Sequence, residues 1–227
     1  MKRLVFLLIF YLLIITKSFA HVGHYSNLNF LEYELFRNDK IIGYHKYEFE
    51  RSNGNLSISS EIKFNITKLG VNIYKYKAIS NEYYQNEIFT KFSANTFQNN
   101  KEKYANIEYK KDENKLIIDG SSYKGDAEVN SIVGTWWNHE IVDAPAQISA
   151  VSGRIIHQKV TFLGKEKLNI NGKTYNALHY NFSSSDKNLP EKKKLNTDIW
   201  YDEKTKIWLK ASFDKMGHWE YRIKNYN

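Results

Sequence analysis

The chain has no cysteine, only two prolines and only eleven glycines in 227 residues. Without cysteine it has no disulfide, no thiolate metal site, no thiol nucleophile and no redox switch. With two prolines and no Ser/Gly-rich stretch, it offers no linker between domains. Arginine is scarce as well, at five against 28 lysines. Arginine forms the bidentate pairs that read phosphates and bases, whereas lysine is mostly a solvated point charge. The net charge of +8 therefore speaks for solubility, or for loose attraction to an anionic membrane surface, and against nucleic acid. Gly-x-Ser-x-Gly, phosphate-loop, dinucleotide and His-Glu-x-x-His patterns are all missing.

One apolar run is present. Leu4 to Ile15 follows Lys2 and Arg3 and precedes Ser18-Phe19-Ala20. It falls short of the about 20 residues a spanning helix needs. A basic start, a short apolar stretch and small residues at the end make a secretory signal peptide. Residues 1–20 are expected to be removed, which leaves 21–227 as a single soluble domain with its N-terminus at His21. The expected location is the periplasm. No cysteine follows the run, which excludes a lipid-anchored lipoprotein.

The remainder is dominated by alternation. Leu31, Tyr33 and Leu35 alternate with Glu32 and Glu34. Ile41, Gly43, His45, Tyr47 and Phe49 share a face opposite Lys46, Glu48 and Glu50. Leu56, Ile58, Ser60, Ile62, Phe64 and Ile66 follow by twos, and Tyr74, Tyr76 and Ala78 do so on the next segment. Period two marks half-buried antiparallel strands. Asn53-Gly54 and Asn171-Gly172 are hairpin turns, and Asp202 to Thr205 is another. About a dozen strands are predicted in this way. Between Ser131 and Ala150 the pattern breaks. Ile132, Val133, Trp136, Trp137, Glu140 and Ile141 recur at three and four, which predicts one short helix. So many twisted strands curl or close, since an open edge invites aggregation. The predicted fold is mainly β: a single large curved antiparallel sheet, a half-barrel or barrel, with the short helix near its mouth.

Candidate site residues cluster at Trp136-Trp137-Asn138-His139-Glu140. His139 and Glu140 are adjacent, so on a helix they point about 100° apart and make no catalytic pair. A plug that doubles as a ligand wall suits two large indoles better, with Asn138 and His139 satisfying nearby backbone groups. His45 and Tyr47 lie on an apolar strand face, and Gly43 beside them suggests close backbone approach. Trp200, in Ile199-Trp200-Tyr201-Asp202, lies near Trp208 on the partner strand, and the two indoles are expected to be neighbours. A freed His21 amine and imidazole, with His24, would suit copper. The expectation is nevertheless no catalytic residue, no cofactor and no metal.

Four stretches together resemble an exported bacterial family of unknown function. They are His21 to Glu34 (H-x-G-x-Y-x-N-L-x-F-L-E-Y-E), Ile42 to Phe49 (I-G-Y-H-K-Y-x-F), Thr135 to Asn138 (T-W-W-N) and Ile199 to Asp202 (I-W-Y-D). The resemblance implies a periplasmic, mainly antiparallel β protein of Gram-negative bacteria. More distantly, it implies the half-barrel shape of lipoprotein carriers and outer-membrane-maintenance proteins. It brings no catalytic residue.

Three readings follow. The first is a non-catalytic binding protein that holds a lipid or other apolar molecule in a β-sheet cavity, with Trp136, Trp137, Asn138, His139, His45, Tyr47 and Trp200 as ligand residues. The second is a cell-envelope interaction module without a small ligand, whose partner is an envelope protein. The third is a copper- or His-dependent enzyme that uses His21 with His24, His45 or His139.

Overall fold

Paired residues with positive φ punctuate the chain. Asn38-Asp39, Asn53-Gly54, Leu69-Gly70, Asn86-Glu87 and Asn171-Gly172 all have both central φ values positive. Two-residue turns of this kind match the right-handed twist of the strands they join. The computed structural model describes residues 22–227. The predicted signal peptide and His21 lie outside the described residues.

The first eight strands are β1 (Phe30–Arg37), β2 (Lys40–Ser52), β3 (Asn55–Lys68), β4 (Val71–Gln85), β5 (Ile88–Gln98), β6 (Lys101–Lys110), β7 (Lys115–Gly120) and β8 (Lys124–Glu128). The remaining seven are β9 (Ile132–Val133), β10 (Ala146–Ile148), β11 (Ile155–Ile170), β12 (Lys173–Ser184), β13 (Asn196–Asp202), β14 (Trp208–Asp214) and β15 (His218–Tyr226). They form one sheet in the order β8-β7-β6-β5-β4-β3-β2-β1-β15-β14-β13-β12-β11-β10-β9. Neighbours are antiparallel except β9 and β10, which are parallel.

This order forces the sheet to curl round. Its two outermost strands, β8 and β9, are consecutive in the chain and separated by residues 129–131 alone. Four Cα steps of 3.8 Å reach about 15 Å at most. The edges accordingly pack together. Phe92, Ala94, Ala105, Ile107, Leu116, Ile118 and Ala127 of β5–β8 share a core with Val133 and Ile148 of β9 and β10. The Ser122 N–H donates to the Ser152 carbonyl at 2.9 Å across the seam.

The alternation expected from the sequence holds on β1 to β3, with one correction. A bulge pairs Leu35 with Gly43 but Phe36 with Ile41. The extra residue turns Ile42 into the core and leaves Ile41 exposed. At Gly43 a Cβ would fall 2.0 Å from the Lys63 carbonyl oxygen, so the close backbone approach is real. The expected helix is reduced to a single 3-10 turn, His139–Val142. Ile132 and Val133 belong to β9 instead, and Trp136 sits at φ +63, outside the right-handed helical region. The apolar spacing of three and four there reflects a loop that packs against the walls in several directions, not one helix face.

Candidate functional site

Residues 134–144 leave β9, enter the lumen and return to β10. An irregular buried segment must find partners for its backbone groups. The walls supply them. Tyr47 on β2 donates to the Thr135 carbonyl at 2.5 Å, and Tyr201 on β13 donates to the Trp136 carbonyl at 2.9 Å. The His139 N–H donates to the Tyr25 hydroxyl at 3.0 Å. Gln158 Nε2 donates to the Ile141 carbonyl at 2.9 Å and to the Ala144 carbonyl at 3.0 Å. Asn138 caps the 3-10 turn by accepting from the Glu140 N–H at 3.0 Å.

The plug's anchor is Glu82. Its Oε2 accepts from Trp137 Nε1 at 3.0 Å and from Thr135 Oγ1 at 3.3 Å. Its Oε1 accepts from the Tyr84 hydroxyl at 2.5 Å. Burial raises the Glu82 carboxyl pKa, against the pull of these three donors. Sequence reasoning stopped this face of β4 at Ala78. Counting on by twos through Ser80 reaches Glu82 and Tyr84, and that period was the available signal.

The two tryptophans face opposite ways. Trp137 is fully buried against Tyr25, Phe49 and Tyr84, with ring centroids 5.4, 5.4 and 5.9 Å away. It faces the end closed by the N-terminal 3-10 turn, Val22–Tyr25. Arg51 fastens that turn by donating to the carbonyls of Leu28 and Tyr25, both at 2.6 Å. Trp136 is half-buried and meets Trp208 at 5.5 Å and Tyr221 at 5.8 Å, both edge to face. Trp208 in turn stacks on Tyr33 at 4.2 Å and lies 6.1 Å from His45. His45 lies 4.2 Å from Tyr47 and 6.0 Å from Tyr221.

Within this aromatic group three buried nitrogens have no hydrogen-bond partner among the described residues: His45 Nδ1, Trp136 Nε1 and Trp208 Nε1. Buried polar groups in native proteins are normally paired, so three together are exceptional. Both indole nitrogens are obligate donors. His45 Nε2 meets Ser60 Oγ at 3.0 Å, and the tautomer this contact selects leaves Nδ1 a donor or an acceptor. Burial lowers the His45 pKa to about 3, so the ring is neutral. Beyond the group, toward the turns at 38–39 and 69–70, Tyr74, Tyr76 and Trp219 are only half-buried.

The structure thus brings Trp136, His45 and Tyr47 into one group with Tyr33, Trp208 and Tyr221, which sequence reasoning did not include. Trp137 and Asn138 belong to the plug's own packing. His139 lies against Tyr201, at 4.8 Å, and Tyr180, at 5.9 Å. Trp200 is not in the lumen. A bulge sets Trp200 opposite Lys210 but Tyr201 opposite Trp208. Trp208 therefore points inward, while Trp200 lies on the outer face, stacked on His179 at 4.1 Å and covered by Lys210. The two are not the neighbours expected. A shallow depression of about 680 Å³ lies over the lower part of β2–β5, bordered by Glu50, Ser57, Tyr83 and Lys91, away from the aromatic group. His24 is exposed, and among the described residues no three His, Asp or Glu side chains are placed to hold a metal ion.

A family model described as a domain of unknown function matches residues 33–224, from β1 to β15. The chain belongs to the DUF6134 family. The match takes in the plug, Glu82 and the whole aromatic group. No curated protein matches this DUF6134 member. Among solved structures it is similar to a β-barrel-like protein of domain of unknown function DUF1849 from Brucella abortus. The identity is 12%, 88% of this chain and 97% of the other are covered, and the TM-score is 0.63. That likeness concerns the fold alone. A DUF1329 family protein from Desulfovibrio piger matches at 10% identity over 92% of this chain and 89% of its own, with a TM-score of 0.22.

Proposed function

We propose that this is a non-catalytic, exported binding protein that takes an apolar molecule bearing an acceptor group, a fatty acyl carboxylate or ester, at the half-buried end of the lumen. The observation that carries this is the trio of unpaired buried nitrogens on His45, Trp136 and Trp208, set among aromatic rings. A hydrocarbon chain suits the ring faces, and its carbonyl or carboxylate oxygen suits the indole N–H groups. The left-handed backbone at Trp136, which a bulky residue rarely adopts, agrees with a side chain held in place for use. The ligand stops at the plug, because Trp137 and its neighbours fill the lumen beyond it. Export rests on the apolar run Leu4 to Ile15, and the periplasm is the compartment proposed.

A native mass spectrum of the chain purified gently from a bacterial periplasm, beside its denatured mass, tests this. An adduct of several hundred daltons that is lost on denaturation is expected. Decanoate added to the delipidated protein should change tryptophan fluorescence, and Trp136→Phe, which keeps a ring but removes the donor, should weaken that binding about tenfold. A bare mass in both states, with no response to decanoate, would leave the reading without support. The second reading, an envelope interaction module, is favoured by the filled lower lumen.

A further inference from the structure

The β3–β4 hairpin outruns its neighbours. The pairing of β2 with β3 starts at Gly43↔Phe64, and that of β4 with β5 starts at Tyr76↔Gln98. Beyond these points Lys75 still bonds Asn99 through both its backbone N–H and its carbonyl, at 2.8 Å each, while Ile66↔Tyr74, Thr67↔Asn72 and Lys68↔Val71 pair only with each other among the described residues. The result is a two-stranded finger about 10 Å long at 3.3 Å per residue, whose base, Ile66 and Tyr74, still packs against the core. A lone two-stranded ribbon is marginally stable in water.

Its tip is apolar. Leu69 is 96% exposed, Val71 64% and Ile73 53%. Leu69 is also in the wrong conformation for its type, at φ +49. Five other turns place a residue at the same first position with positive φ, and each time it is asparagine: Asn38, Asn53, Asn86, Asn99 and Asn171. Asparagine tolerates this region and leucine does not. Folding gains nothing from Leu69, since its side chain touches water on nearly all sides.

The charge along the finger is mainly positive, although Lys77 is paired with Glu61 at 3.4 Å and the neighbouring turns at the same end expose Asp39 and Asp214. From Ile62 to Asn81 the chain carries Lys63, Lys68, Lys75 and Lys77 and no Asp or Glu. The turn between β14 and β15 lies at the same end of the sheet and presents exposed Met216 beside Lys215. We infer that this finger docks the protein on an anionic lipid surface, with Leu69, Val71 and Ile73 in the headgroup–acyl boundary and the lysines against the headgroups. A narrow apolar point with a lysine collar fits that surface. Small apolar side chains enter it singly, and mobile point charges need no matching carboxylate geometry. A protein partner would call for a broad, flat or concave patch, and the finger offers none.

The test uses the chain without residues 1–20, co-sedimented with vesicles of equal phosphatidylglycerol and phosphatidylcholine, and with vesicles of phosphatidylcholine alone. Binding is expected to the first, weakening steeply with salt, and only faintly to the second. Leu69→Asn restores the residue type the other turns use. It should melt no lower than the parent, yet bind anionic vesicles about tenfold more weakly, the effect of losing one buried leucine. Lys68→Glu with Lys75→Glu should abolish the salt-sensitive part. No binding to anionic vesicles would overturn the inference. So would binding that Leu69→Asn leaves unchanged, because attraction would then be diffuse charge alone. The inference stands apart from ligand binding: Trp136→Phe should leave vesicle binding intact.

Discussion

Glu82 shows how one side chain can be both costly and necessary. Three donors converge on its carboxyl, yet burial still lifts its pKa above the ordinary 4.5. The folded protein therefore holds this proton more tightly than the unfolded chain does. Unfolding releases it, so the Glu82 contribution to stability is full below about pH 4.5 and is lost as pH rises through the folded-state value. The stability of the parent minus that of Glu82→Gln, measured by urea unfolding across pH 4 to 8, should fall with rising pH. A flat difference would mean that Glu82 is not desolvated. Glu82→Ala leaves the Trp137 N–H and the Tyr84 and Thr135 hydroxyls facing an apolar gap, at a cost of about 3 kcal/mol or more. Glu82 was hard to read from the sequence because an acidic residue on an alternating face is ordinarily taken to point outward. Only the partner, an indole from 55 positions downstream, explains why it points in.

At the scale of elements, the strands were legible and the plug was not. Strands β2 and β3 face the core on one side only, so burial prints a period of two on the sequence. The bulge at Ile42 depends on register with β1, which period alone does not carry, and so Ile41 was placed on the wrong face. The loop from Gly134 to Ala144 is wrapped by Tyr25, Tyr47, Glu82, Gln158 and Tyr201 from several directions. A segment held from several directions has no single buried face, and its apolar spacing imitates a helix by accident. The bulge between β13 and β14 likewise separates Trp200 from Trp208, with one indole outside the sheet and one inside. Of the candidate site, His45, Tyr47 and Trp136 were legible from alternation and from the paired indoles. Tyr221 and Trp208 were not, because their role depends on which strand closes against which. The plug is expected to hold the walls together. Trp137→Ala should lower stability by about 3–5 kcal/mol, measurable as a lower urea midpoint with the sheet signal in circular dichroism retained below it.

At the scale of the molecule, one pairing is unlike the others. The remaining ladders join strands that follow one another in the chain, but β1 lies against β15, with Leu31 opposite Tyr226. The Asn29 N–H donates to the Asn227 carbonyl at 2.6 Å, so the last residue sits beside the start of the first strand. Read cyclically, the sheet order is the sequence order: β9 to β15, then β1 to β8. Apart from the parallel β9–β10 pair, the native molecule is thus a circular permutation of an up-and-down meander. A permuted chain that begins at Ile132, runs through a flexible linker from Asn227 to Val22 and ends at Glu128 would meet every partner strand next in line. It should reach the same fold. Because that change turns the single long-range ladder into a local one, it should also refold faster than the parent in stopped-flow fluorescence. The seam at residues 129–131 would then be where the chain begins and ends, and the natural order would be only one of several ways to cut the same ring.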